Sequence, residues 1–235
     1  MKADVQGGDW QPRGEAALRE QGWLSEIAEP LQGKLLAQGR WIRREPGEPL
    51  AMAGDEFGGL IGIASGAVYS RVGNAPADVA MTDLHFGPVW MTSRAIVPGE
   101  MRMITVVAQT GVTAIRIPQF ALLQLMGDHP ELTVHLFRNI ANIFARLTLV
   151  VGDGHVRDGR GRCIATLLRL SDGELQGVVP ERLPIGQLEL AGMANLSRQK
   201  AGEVLRELED RGLIELGYRW IAVRDREGLA ALRGD

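Results

Sequence analysis

Between Arg40 and Ile117 the chain breaks into short β-like runs separated by glycine turns, a pattern that few folds accommodate. The chain has 30 glycines, against about 16 expected at ~7% usage, and ten of them lie between Gly47 and Gly111. Many short strands at such spacing predict a small antiparallel sandwich or barrel. The predicted strands are Trp41–Arg43, Leu50–Met52, Leu60–Ile63, Val68–Val72, Val89–Met91, Met103–Ala108 and Val112–Ile117.

Helical periodicity flanks this β region on both sides. Residues 15–38 carry apolar side chains at helical spacing, which predicts short helices interrupted at Gly22 and Pro30. Pro118 is expected to begin another short helix that ends near Gly127. With 235 residues and 45% hydrophobic content, the chain has room for one large domain or two small ones. The predicted class is therefore α+β.

Pro130 begins the longest predicted helix, which runs to about Val151. Its apolar seam has a mean period near that of an α-helix and consists of Leu136, Ile140, Ile143, Leu147 and Val150. Phe137 and Phe144 widen the seam on one side. We expect this helix to pack inward and to pair with its twin in a homodimer; the alternative is a helix packed only on its own domain. Residues 152–154, Gly-Asp-Gly, are expected to interrupt the helix and to mark a domain boundary.

The C-terminal third predicts a helix-turn-helix. Asp158 is placed to cap a helix over residues 160–170, and residues 188–193 form the next one. After the tight turn at 194–196, Ser197 is a good N-cap for a second helix. That helix has one apolar face, and its opposite face is expected to expose Arg198, Gln199, Gly202, Glu203 and Arg206. Leu213–Leu216 and Trp220–Val223, joined by a turn at 217–219, add a β-hairpin wing.

Because the charges balance, any contact with DNA must come from a few basic side chains close to the groove. Net charge is −3, and residues 156–235 carry 13 basic and 13 acidic side chains, whereas many DNA-binding domains are basic. Arg162, Arg169 and Arg224 are expected to lie nearby and to help. The candidate DNA-binding residues are Ser197, Arg198, Gln199, Lys200, Glu203, Arg206 and Arg219. The alternative is a β-sandwich sensor or scaffold whose helix-turn-helix no longer reads DNA.

Other functional classes lack their sequence signals. The single cysteine, Cys163, forms no internal disulfide and no Cys-rich metal or iron–sulfur site, and we expect it to be a buried packing residue. No P-loop, Gly-x-Ser-x-Gly or His-Glu-x-x-His is present. We therefore predict no enzyme, no catalytic residue, no metal site and no cofactor. The uncharged run Phe57–Ser70 is only 14 residues long, so we predict no membrane span, and without a signal sequence we expect a cytoplasmic protein.

Two segments resemble the Crp/Fnr family of bacterial transcription regulators, the relatives of the cyclic AMP receptor protein. RREPGEPLAMAGDEFGGLIGIASGAV (43–68) resembles the family's jelly-roll opening, with Gly47, Gly54 and Gly66 at turns. IGQLELAGMANLSRQKAGEVLRELEDRGLIE (185–215) resembles its helix-turn-helix, most specifically at Ser197-Arg198. The resemblance covers roughly residues 20–225.

This resemblance implies a three-part chain and a function. Residues 1–129 would be N-terminal helices with a β jelly-roll similar to a cyclic-nucleotide-binding domain. Residues 130–154 would be a dimerisation helix and hinge, and residues 155–235 a winged helix-turn-helix. The family binds a palindromic DNA site as a homodimer, and RNA polymerase is a further implied partner. Glu203 departs from the arginine common in the family.

The resemblance also bears on the effector. The family's cyclic-nucleotide pocket uses a Gly-Glu pair for the ribose and an arginine followed by a small hydroxyl residue for the phosphate. In this chain Gly87 precedes a proline, Arg102 precedes Met103, and Thr148 on the long helix is a possible base contact. We expect an unidentified small effector other than a cyclic nucleotide, or none. The alternatives are a cyclic-nucleotide-responsive or a haem-responsive regulator, although none of the four histidines lies in a diagnostic motif.

Overall fold

The computed structural model describes residues 9–55, 58–73, 83–92, 94–173 and 178–233. Contacts within the chain divide it into two units, Met1–Ala75 with His85–Phe144 and Pro76–Leu84 with Ala145–Asp235. The boundary therefore falls inside the long helix. The three-part division into residues 1–129, 130–154 and 155–235 stays a prediction.

The described residues of the first unit combine helices with eight short strands, the fifth of which begins with two residues, Asp83 and Leu84, that belong to the second unit. It begins with α1 (Trp10–Glu20), a 3-10 turn (Gly22–Glu26) and α2 (Glu29–Ala37). The strands are β1 (Arg40–Arg44), β2 (Pro49–Ala51), β3 (Gly59–Ser65), β4 (Ala67–Val72), β5 (Asp83–Phe86), β6 (Val89–Met91), β7 (Ile104–Ala108) and β8 (Val112–Pro118). A second 3-10 turn (Arg94–Ile96) precedes β7, and α3 (Gln119–Asp128) follows β8. Every predicted strand is confirmed, and β5, which is short and half polar, is an addition.

The strands form two four-stranded antiparallel sheets, in the orders β1-β8-β3-β6 and β2-β7-β4-β5. Apolar residues of both sheets form an inner core, and along β3, β7 and β8 they are every second residue. That core contains Ile42, Leu50, Ala51, Ile61, Ile63, Val68, Met91, Val106, Ala108, Val112 and Ala114. The predicted β jelly-roll is confirmed.

The helices cover the outer face of the first sheet and form a second core with it. Leu18 of α1, Trp23 of the first 3-10 turn and Leu35 of α2 pack there against Trp41 and Ile115 of the sheet. Gly62 of β3 is required at this contact, because a Cβ would lie 2.9 Å from Ile115 and 3.0 Å from Leu18. The predicted turn glycines Gly47, Gly54 and Gly66 have φ values of 86°, 86° and 88°, a region that favours glycine.

The long helix α4 (Glu131–Gly154) begins after Pro130, as predicted, but continues through the expected interruption. Two glycines in a helix cost about 1 kcal/mol each relative to alanine. The residue between them, Asp153, is buried and accepts a hydrogen bond from Arg169, which holds the last turn in place. By length and composition alone α4 could cross a membrane, and only 17% of its most apolar window is buried within the chain.

The second unit continues with helices and a hairpin. They are α5 (Gly159–Leu170), α6 (Gln187–Met193), α7 (Arg198–Asp210), β9 (Ile214–Gly217), β10 (Trp220–Val223) and α8 (Arg226–Arg233). Asp158 caps α5 as predicted, since its Oδ1 accepts a hydrogen bond from the backbone of Gly161 at 2.6 Å. The winged helix-turn-helix is confirmed.

Among its described residues, the second unit also buries four charged side chains, which we call the charge cluster: Asp83, Arg146, Asp153 and Arg169. Asp83 lies 2.5 Å from the Nε of Arg146 and 2.5 Å from Nη1 of Arg169. Arg169 also donates from Nε to Asp153 at 2.8 Å. Each buried charge therefore has an opposite charge in contact, as burial of charges requires.

Candidate nucleic-acid interface

The turn between α6 and α7 fixes the angle of the helix-turn-helix. Asn195 has a φ of 50°, a left-handed conformation that asparagine tolerates better than most residues. The backbone N–H of Leu196 donates to Ala191 at 2.8 Å. Ser197 then caps α7, its hydroxyl accepting from the backbone N–H of Lys200 at 3.2 Å. Ser197 is thus placed as a helix cap at the start of the candidate interface.

Helix α7 has one fully buried face and one polar face. The buried face is the predicted apolar face and holds Ala201, Val204, Leu205 and Leu208. Gly202 was expected on the exposed face and is instead buried. The reason is that the Oε1 of Gln187, at the start of α6, lies 3.5 Å from the place where a Cβ would be. Gly202 thus belongs to the packing between the two helices.

The polar face presents the candidate base-reading residues. Arg198 is exposed and makes no hydrogen bond or ion pair with any described residue. Gln199 donates from Nε2 to Oε1 of Glu203 at 3.2 Å, and the Nζ of Lys200 lies 3.3 Å from Oε2 of Glu203. These two hydrogen bonds, that from Lys200 first, lower the pKa of Glu203 and keep it ionised. Arg206 folds back and donates to the backbone oxygen of Gly202 at 3.1 Å.

The wing carries the remaining candidate, Arg219. Gly217 pairs with Trp220, so Tyr218 and Arg219 form a two-residue loop in which Tyr218 is 91% exposed. Arg219 has a φ of 61°, and its Nη2 lies 3.7 Å from Oε1 of Glu189 in α6. The exposed guanidinium therefore projects from the loop while leaning toward the first helix of the motif.

Three arginines that were expected to help at the groove make contacts within the second unit. Arg162 donates to the backbone oxygens of Ala194 and Asn195, at 3.0 and 3.2 Å, and so holds the turn of the motif. Arg169 is buried in the charge cluster. Arg224 pairs with Glu181 and Glu215, whose hydrogen bonds raise its pKa. Sequence spacing did not reveal these contacts because the partners lie far along the chain.

The candidate effector residue Arg102 is buried inside the first unit. It is 2% exposed, and none of its three guanidinium nitrogens has a hydrogen-bond partner among the described residues. Burial, and next the nearby charge of Arg116, lower the pKa of Arg102, while Asp55 partly offsets both. A cation in such surroundings would be stabilised by an anion.

The other two effector candidates are Gly87 and Thr148. Gly87 donates its backbone N–H to Gly66, just before β4, while Gly73, just after β4, donates to the carbonyl of Met103. The six residues of β4 span about 20 Å, so the backbones of Gly87 and Arg102 lie near opposite ends of that strand. Thr148 lies on the exposed surface of α4, in the second unit. Within the described residues no group of three His, Cys, Asp or Glu side chains is placed to hold a metal ion.

The exposed apolar face of α4 differs from the predicted seam. Leu136 is 5% exposed and belongs to the first unit's own core, against which Ile140 also packs. Ile143 and Val150 are half-buried, and Leu147 is exposed. The most exposed apolar residues, with Phe137 at 70% and Phe144 at 71%, lie about a quarter turn away on the helix. They belong to a row at spacings of 3 and 4 that we call the α4 stripe: Val134, Phe137, Ala141, Phe144, Thr148 and Val151.

The sequence is similar to that of known transcriptional regulators. Residues 161–232 match the family model described as a Crp-like helix-turn-helix domain. The HTH-type transcriptional regulator Cmr of Mycobacterium tuberculosis is 26% identical, over 94% of this chain and 91% of that protein. The cAMP-activated global transcriptional regulator CRP of Pasteurella multocida is 24% identical, over 74% of this chain and 85% of that protein.

Solved structures share the fold. The structure of FixK2 from Bradyrhizobium japonicum superposes with a TM-score of 0.69 at 14% identity, covering 83% of this chain and 96% of that one. At such identity the likeness concerns architecture alone. It agrees with the order of parts found here, which is a β jelly-roll, a long helix and a winged helix-turn-helix.

Proposed function

The chain belongs to the Crp/Fnr family of transcription regulators and carries that family's helix-turn-helix DNA-binding domain, and we propose that it acts as a homodimer on a two-fold symmetric DNA site. The observation that carries this proposal is the exposure of polar side chains in the first turn of α7. There the polar side chains are exposed on a helix whose opposite face is buried, and Arg198 has no partner among the described residues.

The side chains at the start of α7 are suited to read bases. In helix-turn-helix proteins the N-terminal residues of the second helix contact base edges in the major groove. The planar fork of Arg198 matches the O6 and N7 acceptors of guanine, a contact worth roughly 1–3 kcal/mol of discrimination. Arg206 and Arg219 are exposed cations suited to phosphates, which supply affinity more than sequence preference.

The α4 stripe supports a second copy of the chain as the dimer partner. Its spacing is that of the a and d positions of a coiled coil, in which each helix covers the other's apolar side chains. A bilayer fits it less well, because α4 also carries the buried Asn139, Arg146 and Asp153 and charges are costly in lipid. Two copies related by a two-fold axis would place their recognition helices about one DNA turn, ~34 Å, apart. RNA polymerase is the expected partner of the DNA-bound dimer, in the cytoplasm, and no catalytic activity is expected.

The effector expected for the β jelly-roll is a small anion other than a cyclic nucleotide. Arg102 provides a buried guanidinium that has no hydrogen-bond partner among the described residues. Met103, which follows it, is exposed and has no hydroxyl to donate to a cyclic phosphate. A ligand that brings its own negative charge to Arg102 would remove the cost of burying that cation.

The test is selection of binding sites from a random duplex library at fixed salt. Wild type should select a two-fold symmetric site. Arg198→Ala should relax the preference at one base pair in each half-site and weaken binding by roughly 1–3 kcal/mol. Arg211→Ala removes the same charge beyond the far end of α7 and should keep the sequence preference. An asymmetric selected site, or an unchanged preference in Arg198→Ala, would contradict the proposal.

A further inference from the structure

Glu203 fixes the orientation of the neighbouring side-chain amide. An ionised carboxylate only accepts hydrogen bonds, so the amide nitrogen of Gln199, and not its oxygen, must face it. The contact joins Nε2 of Gln199 to Oε1 of Glu203 at 3.2 Å, four residues apart on one face of α7. Turning the amide over would bring its carbonyl oxygen against the carboxylate. Of the two amide orientations, one is therefore strongly favoured.

The amide held in this way has one donor and one acceptor left. One N–H of Gln199 is used by Glu203, and the second N–H and Oε1 remain. Adenine offers the matching pair in the major groove, since its N7 accepts and its N6 amino group donates. Guanine offers two acceptors, N7 and O6, and an amide with a single remaining N–H cannot donate to both.

Glu203 itself is committed to its neighbours in the helix. Its Oε1 accepts from Gln199 and its Oε2 lies 3.3 Å from the ammonium of Lys200. A cytosine amino group would have to compete with a positively charged donor for this carboxylate. Charge-assisted hydrogen bonds are the stronger ones, so the geometry favours a role for Glu203 within the protein over direct contact with a base.

We propose that Glu203 is a positioning residue that orients Gln199 to read adenine in each half-site. The inference rests on the proposed DNA-binding function and adds the base that Gln199 selects. Glu203, which stands where the family commonly has an arginine, would then act by orienting the amide of Gln199. The inference predicts that Gln199 and Glu203 act together on one base pair.

The test combines site selection with atomic changes in the DNA. Gln199→Ala and Glu203→Ala should each relax an adenine preference by roughly five- to one-hundred-fold at the same base pair, and the double variant should relax it no further. Replacing that adenine by 7-deazaadenine removes N7 and should weaken wild-type binding but leave Gln199→Ala binding unchanged. Asp210→Ala removes an equal charge two turns along α7 and should keep the wild-type preference.

Three results would overturn the inference. Glu203→Ala could relax a different base pair, which would make Glu203 a base reader, or could leave the preference intact. Gln199→Ala could relax a position at which wild type selects a base other than adenine. Failure of the proposed function looks different: wild type would select no sequence, or Arg198→Ala would keep the wild-type preference.

Discussion

Burial of the Arg102 guanidinium reduces the stability of the folded chain. Taking a guanidinium out of water without a counter-ion is unfavourable, and burial accordingly lowers its pKa. Sequence position alone marked Arg102 as a candidate effector residue, and it gave no sign of the burial. Burial of a side chain depends on the packing of the whole folded unit, which the residues on either side of Arg102 do not reveal.

Replacing Arg102 by methionine should raise the stability of the first unit in the absence of ligand. We expect the free energy of unfolding to increase by about 1–3 kcal/mol, because a buried cation without a hydrogen-bond partner in the described part of the chain is removed and the volume is largely kept. Urea unfolding followed by tryptophan fluorescence reports mainly on this unit, which contains Trp10, Trp23, Trp41 and Trp90. Arg94→Met, at an exposed arginine paired with Glu100, is the control and should change stability by less than about 1 kcal/mol. A less stable Arg102→Met variant would show that the guanidinium is satisfied in the folded chain.

Cys163 was predicted as a packing residue and is confirmed as one, since it is 0% exposed within α5. Burial raises the pKa of its thiol to about 12, from an ordinary value of 9.0. The reactive thiolate is therefore essentially absent from the folded chain at pH 8. Iodoacetamide should leave native protein unmodified by mass spectrometry and should alkylate it fully in urea.

The raised pKa of the Cys163 thiol makes the stability of the folded chain depend on pH. The folded state keeps a proton that the unfolded state loses above its own pKa, so the unfolded state binds fewer protons there. Stability should then fall as the pH rises from about 9 to about 12. Cys163→Ala should lack this contribution, and rapid alkylation of native wild type at pH 8 would contradict the assigned burial.

The apolar periodicity of α4 predicts that the segment is helical but does not predict which of its faces is buried. The apolar residues of this helix cover more than one face, so their spacing predicts a helix between residues 130 and 151 without deciding which face is covered by the chain itself. The fold decides: Leu136 lies in the first unit's core, while Phe137, the next residue, is exposed. Similarly β5 escaped prediction because four residues, two of them polar, give too little pattern.

The α4 stripe predicts where a charge would disrupt the dimer. Phe144→Asp should convert the dimer to a monomer in analytical ultracentrifugation, since an unpaired carboxylate between two helices costs several kcal/mol. Asn142→Asp adds the same charge to an exposed position on the other side of α4 and should remain a dimer. A dimeric Phe144→Asp variant would exclude the stripe from the interface.

For the whole molecule, local features were predictable and distant pairings were not. The glycine turns and the cap at Ser197 follow from neighbouring residues, and the sequence placed them correctly. The charge cluster joins Asp83 to Arg146 and Arg169 across 63 and 86 residues, and no spacing rule links such partners. For the same reason Arg169 was expected near DNA, although it lies among buried carboxylates.

Asp83 is the centre of the charge cluster, because its carboxylate contacts two buried arginines. Asp83→Ala would leave Arg146 and Arg169 without their shared counter-charge, so we expect the second unit to lose about 3–5 kcal/mol of stability. Amide hydrogen exchange should show the loss as faster exchange throughout α5.

Asp172→Ala removes the same side chain from a more exposed pair with Arg226 in the same unit and should cost no more than about 1 kcal/mol. Replacing all four members of the charge cluster together by leucine should restore most of the lost protection, since none of its buried charges would then remain without a partner. Equal exchange in Asp83→Ala and Asp172→Ala would mean that the cluster is hydrated and that its charges contribute no more than an ordinary surface pair.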